Sequence, residues 1–275
     1  MIEQFLEIDK TKIYTKRTND LEKGVIFIHG NSLSSNSFSE QMNNLSVPGF
    51  NMISFDLPGH GKSDKAQNPD ETYNLFSYIK IVKGIVSRFN LKQIVLVGHS
   101  LGGHIAIEAS EEIDELIGLA FFGTPPLGIP PAMEQAFLPN PAMGYAFFWE
   151  LSNDQALELA QAFSENKDVV KLLQKDILAT DPLARTSMAA SLGQGKMKDE
   201  IIILKNKKIP LLAIHGENDE LINLEYINEL SLPLFNNSVQ TIAAASHCPQ
   251  MENWKEFNSL LERFFAHLYP VIVKR

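Results

Sequence analysis

The run Ile94-Val95-Leu96-Val97-Gly98-His99-Ser100-Leu101-Gly102-Gly103-His104 constrains this chain more than any other stretch. It reads as an apolar, β-branched strand, a serine at G-x-S-x-G spacing, and the start of a helix. A serine on such a sharp strand-to-helix turn has its hydroxyl lifted above the sheet edge. Gly98 and Gly102 suit places where strand and helix cross too closely for a Cβ. The first helical turn supplies free N–H groups and a positive dipole end beside the hydroxyl. The same pattern also arises by chance in glycine-rich turns, so the rest of the sequence decides what Ser100 does.

The surroundings of this run predict a doubly wound sheet. Residues 2–8 and 12–18, parted by the turn Asp9-Lys10-Thr11, read as an antiparallel hairpin at a sheet edge. Short apolar runs follow at residues 25–28, 52–55, 94–97 and 116–122, the pattern of strands buried on both faces. Helix-like stretches at 73–89 and 101–112 lie between them, and this alternation implies a mostly parallel sheet. The alternation stops at Gly123-Thr124-Pro125-Pro126. From there to about Lys198 the chain carries prolines, an aromatic cluster and helical spacing at 152–164 and 169–178, which reads as a helical insertion. Strand–helix rhythm resumes with a strand at 211–214, a helix near 224–230, a strand at 239–242 and a final helix over about 252–268.

Composition removes several classes of function. With 275 residues, 44% of them hydrophobic, the chain is long enough for one large α/β domain with an insertion. A net charge of −9 argues against a nucleic-acid partner, which calls for a basic stripe. The mixed-charge patch from Lys196 to Lys208, where Asp199 and Glu200 interrupt the lysines, reads as solvated surface. One cysteine, Cys248, excludes an intramolecular disulfide. No segment has the apolar length to cross a bilayer, and the acidic start Met1-Ile2-Glu3-Gln4-Phe5 lacks the pattern of a signal peptide. The expectation is a cytoplasmic protein with no membrane insertion, and the sequence leaves the oligomeric state open.

A serine nucleophile needs a base and a group to orient that base. His247, in Ala245-Ser246-His247-Cys248-Pro249, follows the last expected strand. Asp219, in His215-Gly216-Glu217-Asn218-Asp219, follows the strand before it. In a parallel sheet the loops at the carboxyl ends of the strands share one rim, so Ser100, Asp219 and His247 are expected together. Their order along the chain is the one a nucleophile elbow begins. Taken singly, each has a plainer reading as a turn, cap or surface residue. Glu217 and Glu220 flank Asp219 as rival acids. The loop His29-Gly30-Asn31-Ser32 after the first buried strand supplies a fourth element. The backbone N–H groups of Leu101 and Asn31 are the expected oxyanion donors, with the Asn31 side-chain amide as an additional candidate. The alternative, that Asn31 only shapes the turn, stands beside this. There is no metal-site spacing such as H-E-x-x-H, and His60, His99 and His104 read as structural. Neither a metal nor an organic cofactor is expected.

Together with Asp56-Leu57-Pro58-Gly59-His60-Gly61-Lys62-Ser63, which matches a D-x-P-G-x-G-x-S turn, these motifs resemble the α/β-hydrolase superfamily over nearly the whole chain. The ending Gly61-Lys62-Ser63 mimics a phosphate loop, but Asp56 stands where that loop requires its first glycine. The resemblance implies an α/β-hydrolase fold, a mostly parallel, doubly wound eight-stranded sheet. Residues 1–124 and 199–275 would form the core domain and 125–198 a helical cap. His29–Ser32, Ser100-Leu101-Gly102-Gly103-His104-Ile105 and Gly123-Thr124-Pro125-Pro126 further resemble α/β-hydrolase N-acyl-homoserine lactonases. That likeness implies a lactone substrate with its acyl tail under the cap. Ser246 departs from the pattern, since many members have glycine before the catalytic histidine.

The implied reaction is cleavage of a carboxylic ester or lactone, a small-molecule substrate, through an acyl-enzyme on Ser100. Serine at the elbow sets the chain apart from dehalogenases and epoxide hydrolases of this fold, which use aspartate there. Asn31, Ser32, Phe147, Phe148 and Trp149 are candidate substrate contacts, the aromatics competing with a plain packing role between cap and core. Other readings stay open: a generic carboxylesterase, a carbon–carbon bond hydrolase, a cofactor-free perhydrolase, or a slow-turnover ligand sensor.

Overall fold

The computed structural model describes residues 1–273. Its strands are β1 (Ile2–Ile8), β2 (Thr11–Arg17), β3 (Lys23–Ile28), β4 (Asn51–Phe55), β5 (Gln93–His99), β6 (Leu116–Phe122), β7 (Leu211–Gly216) and β8 (Gln240–Ile242). They form one eight-stranded sheet in the order β1-β2-β4-β3-β5-β6-β7-β8. β1 and β2 pair antiparallel, β2 meets β4 antiparallel, and every pairing from β4 to β8 is parallel. The expected edge hairpin and doubly wound sheet are both present. Asp9 and Lys10 turn the hairpin with positive φ values of 50° and 62°.

The central strands divide their side chains between two cores with the period of two that a pleated strand dictates. Val25, Phe27, Val95, Val97, Ala120 and Phe122 pack on one face with Phe38, Phe257 and Phe264. Ile26, Ile28, Ile94, Leu96, Leu119 and Phe121 pack on the other with the helices Leu75–Arg88 and Leu101–Ala109. Burial on both faces explains why these strands appear in the sequence as unbroken apolar runs.

Between β6 and β7 the described chain has helices and no strand. Ser152 and Gln155 form a reciprocal capping box that starts Asn153–Phe163. Asn166 caps Lys167–Ala179, and Asp181 with Pro182 at the first turn starts Pro182–Gly193. The 3₁₀ segment Pro141–Phe147 lies against two of these helices.

One sequence expectation needs correction. The patch from Lys196 to Lys208 is not simply solvated: it contains the helix Glu200–Asn206, and Glu200, Ile203 and Leu204 are buried. The final helix expected over about 252–268 is present as Trp254–Val273, and a separate short helix, Pro249–Glu252, precedes it across Asn253, whose amide donates to the Ala243 carbonyl. Among the described residues no helix is long and apolar enough to cross a membrane.

Candidate active site

Ser100 lies between β5 and the helix Leu101–Ala109, as its N-cap, with φ 51° and ψ −119°, a strained conformation for a residue with a Cβ. Backbone bonds hold it there. Its N–H donates to the Phe122 carbonyl at 2.9 Å, and its carbonyl accepts from the N–H of Gly103 at 2.8 Å and the Thr124 hydroxyl at 2.9 Å. The glycines are required by proximity: a Cβ on Gly98 would lie 2.2 Å from the Gly102 oxygen, and one on Gly102 would lie 2.1 Å from the Ile28 oxygen.

Asp219 and His247 meet at the same rim. Asp219 Oδ2 accepts from His247 Nδ1 at 2.9 Å, and both side chains are 1% exposed. Asp219 Oδ1 accepts from the N–H groups of Leu221 at 2.9 Å and Ile222 at 3.3 Å. Burial opposes ionisation of Asp219, but the charge and hydrogen bond of His247, with the Leu221 N–H, outweigh it and hold the carboxyl below its ordinary range. The rivals Glu217 and Glu220 are exposed, and Glu217 accepts from the Ala244 N–H instead. The imidazole packs against Gly123, where a Cβ would come within 2.9 Å of His247 Cε1. His247 Nε2 is buried without a hydrogen-bond partner. Ser100 and His247 are thus not directly bonded, although each is held by the Phe122-Gly123-Thr124 turn. Serine–base contacts of this kind often tighten only with substrate.

The loop after β3 lies against Ser100, since a Cβ on Gly30 would stand 3.1 Å from the Ser100 Cβ. Two buried histidines shape it. His29 donates through Nδ1 to the Gly30 carbonyl and accepts the Leu57 N–H at Nε2. His60 donates through Nδ1 to the Pro58 carbonyl and accepts the Ser32 N–H at Nε2. Burial lowers their pKa values to about 4 and about 3, so both rings are neutral at pH 7. The Asn31 side-chain amide, one candidate oxyanion donor, is committed elsewhere: Nδ2 donates to the Ala146 carbonyl at 2.8 Å. Ser32 is fully buried, and its hydroxyl donates to Asn31 Oδ1, so it meets no solvent-facing ligand in this arrangement. Leu101, 8% exposed, starts the elbow helix, where the first N–H groups lack intrahelical acceptors.

Phe147, Phe148 and Trp149 are 40%, 49% and 51% exposed, so they do not pack the helical segment onto the core. The Asn31–Ala146 bond brings this aromatic run beside the loop after β3. Several residues of the site carried no local sequence signal. Phe163 stacks near His247 with ring centroids 5.3 Å apart, and Glu252 accepts the N–H groups on both sides of His247. Among the described residues no cluster of His, Cys, Asp and Glu is suited to a metal ion.

The chain is 26% identical to the AB hydrolase superfamily protein YisY of Bacillus subtilis (strain 168), over 87% of this chain and 90% of that protein. It is 27% identical to 2-hydroxy-6-oxononadienedioate/2-hydroxy-6-oxononatrienedioate hydrolase 1 of Pseudomonas putida, over 90% of this chain and 91% of that protein. The crystal structure of N-acyl homoserine lactonase AidH complexed with N-butanoyl homoserine superposes with a TM-score of 0.88 at 27% identity, covering 98% of this chain and 97% of that one. The family model for the alpha/beta hydrolase fold matches residues 24–253, and with the strained serine, the buried Asp–His pair and the sheet order it leads to one assignment. The chain belongs to the alpha/beta hydrolase fold family.

Proposed function

We propose that this protein is a serine hydrolase that cleaves a carboxylic ester or lactone through an acyl-enzyme. The observation that carries the reading is the buried 2.9 Å bond between Asp219 and His247 at the rim occupied by the strained Ser100. His247 Nε2 takes the proton from the Ser100 hydroxyl as Oγ attacks the carbonyl carbon. Asp219 fixes the tautomer at Nδ1 and stabilises the imidazolium. The oxyanion accepts from the backbone N–H groups of Leu101 and Asn31. Collapse breaks the bond to the leaving alkoxide, which takes the proton from His247. Water then attacks the acyl-enzyme with His247 again as base, a role that supplies about 10²–10⁴ in rate.

Residues 125–198 act as the cap in this reading, and the mouth is formed by Phe147, Phe148 and Trp149. Their exposure beside the loop after β3 supports an apolar acyl tail as the part of the substrate they meet. The chemistry around them favours an uncharged substrate. No Lys, Arg or His occurs between His104 and Lys167, and the buried Arg185 gives its N–H groups to three carbonyls. The Pseudomonas putida relative is named for a dicarboxylate, which would call for a free cation at the mouth. An N-acyl-homoserine lactone, neutral at its ring and apolar in its tail, fits better.

Two measurements test this. Ser100→Ala abolishes hydrolysis of a short p-nitrophenyl ester while the protein remains folded; near wild-type activity in that variant overturns the assignment. In a pH-stat, acyl-homoserine lactones release acid with saturable, Ser100-dependent kinetics. Turnover of linear esters of matched acyl length with none of the lactones restricts the reading to a carboxylesterase.

A further inference from the structure

The carbonyl of His247 accepts from His99 Nε2 at the end of β5, at 2.9 Å, but the backbone N–H groups of its loop are held from outside the sheet. Three consecutive N–H groups, those of Ser246, His247 and Cys248, all find acceptors. The outer two donate to Glu252 Oε2, at 2.8 and 3.3 Å. The middle one, on His247 itself, donates to the Phe163 carbonyl at 3.1 Å. Glu252 Oε1 in turn accepts from the Ser164 hydroxyl at 2.7 Å, and the same hydroxyl accepts from the Asn166 N–H at 3.1 Å. The Phe163 ring lies beside the imidazole at 37° between planes.

Phe163 and Ser164 are the last residue and the C-cap of the helix Asn153–Phe163, in the helical segment between β6 and β7. The last carbonyls of a helix have no intrahelical donor. His247 satisfies one of them, and in exchange the helix end fixes the height and tilt of the loop that carries the imidazole. Ser164 is 1% exposed and its hydroxyl has both a donor and an acceptor role filled, so its orientation is set.

We propose that the Phe163–Ser164 helix end, acting partly through Glu252, positions His247, so that the seating of this helix over the sheet sets the geometry of the base. Ser164 and Glu252 are positioning residues: neither touches the reacting atoms. If the helix end lifts, His247 loses its backbone acceptor and Glu252 loses the hydroxyl that orients it. Access beneath the helical segment and readiness of the base are then one equilibrium. The inference rests on the reading of Ser100, Asp219 and His247 as a working set.

The test uses the full chain with Ser164→Ala, Ser164→Thr and Glu252→Gln. Two readouts are taken: kcat and KM on a short p-nitrophenyl ester, and the low-field proton resonance of His247 Nδ1–H, assigned by its loss in Asp219→Asn. Misplacement of a base by a fraction of an ångström lowers kcat by about tenfold, and that loss is expected for Ser164→Ala with KM within about twofold. The His247 resonance broadens in Ser164→Ala and Glu252→Gln, and Ser164→Thr restores both readouts. The proposal is overturned if the resonance is unchanged in Ser164→Ala and Glu252→Gln. It is equally overturned if kcat per folded molecule stays at the wild-type value, the result of a merely structural role. Retention of activity in Ser100→Ala would instead defeat the hydrolase reading, and the resonance would still report whether the helix end positions His247.

Discussion

At the scale of single residues, Asp219 shows how position selects among three carboxylates in four residues. Glu217 and Glu220 point to solvent, whereas Asp219 is buried with both oxygens in use. Its carboxyl is held below the ordinary range, so its contribution to stability is present above the unfolded value of 3.8 and is lost only as pH falls through the depressed folded value. The carboxyl is therefore ionised at neutral pH. Asp219→Asn removes that charge and can present an amide N–H to His247 Nδ1, which favours the wrong tautomer. In the proposed mechanism kcat falls by about 10³–10⁴ with little change in KM, while Glu217→Gln and Glu220→Gln keep wild-type turnover. Steady-state kinetics on one ester substrate decide this; full activity in Asp219→Asn would remove it from the machinery.

At the scale of elements, the central strands were readable because burial on both faces leaves β-branched and aromatic runs, although Ile201-Ile202-Ile203-Leu204 is such a run and lies in the helix Glu200–Asn206. The rim positions of Ser100, Asp219 and His247 follow from those runs. What stayed hidden depends on partners far along the chain. Pro182–Gly193 buries Ala184, Ser187, Met188 and Ser191, a face too small and polar to show helical periodicity. The Phe163–Ser164 contact with the histidine loop joins residues over eighty positions apart, and no local spacing announces it. Arg185 is similar. It is 2% exposed and donates to the carbonyls of Phe148, Trp149 and Ile177, the last in the final turn of Lys167–Ala179. One guanidinium thus ends a helix and pins the aromatic run to it. Arg185→Met leaves three carbonyls short of a donor, at a cost of about 3 kcal/mol. For a chain of this size that lowers the thermal midpoint by about 8 °C. Arg185→Lys, with one donor centre in place of a fork, falls between, and calorimetry of the three proteins measures the order. A midpoint unchanged in Arg185→Met would show that the carbonyls find other donors.

At the scale of the whole molecule, the chain leaves the sheet after β6 and returns before β7, and both crossings are tied to the elbow helix. On the way out, the Leu127 N–H donates to Glu200 Oε2 at 2.8 Å, and the Leu127 carbonyl accepts the Glu200 N–H. On the way back, the Lys198 N–H donates to Glu108 Oε1 at 3.0 Å. His104, on the elbow helix, closes the set by bonding Glu200 at 2.8 Å. This clasp carries a pH dependence. Burial pushes Glu108 up to about 7 with help from the neighbouring Glu200, against the Lys198 N–H, His104 and the Lys198 ammonium, and its Oε2 is buried without a partner. Because the folded value lies above the unfolded 4.5, the contribution of Glu108 is full below 4.5 and is lost as pH rises through about 7. His29 and His60 run the other way, since their lowered values make stability fall as pH drops below 6.5. Comparing Glu108→Gln with wild type cancels the histidine contribution and isolates the carboxyl. Glutamine keeps the acceptor for Lys198 and never ionises, at a packing cost independent of pH. The stability difference between the two proteins shifts toward the variant by roughly 2–3 kcal/mol between about pH 4 and about pH 8. Urea unfolding across that range measures it, and a difference that stays flat with pH would mean that Glu108 titrates in the folded protein at its unfolded value of 4.5.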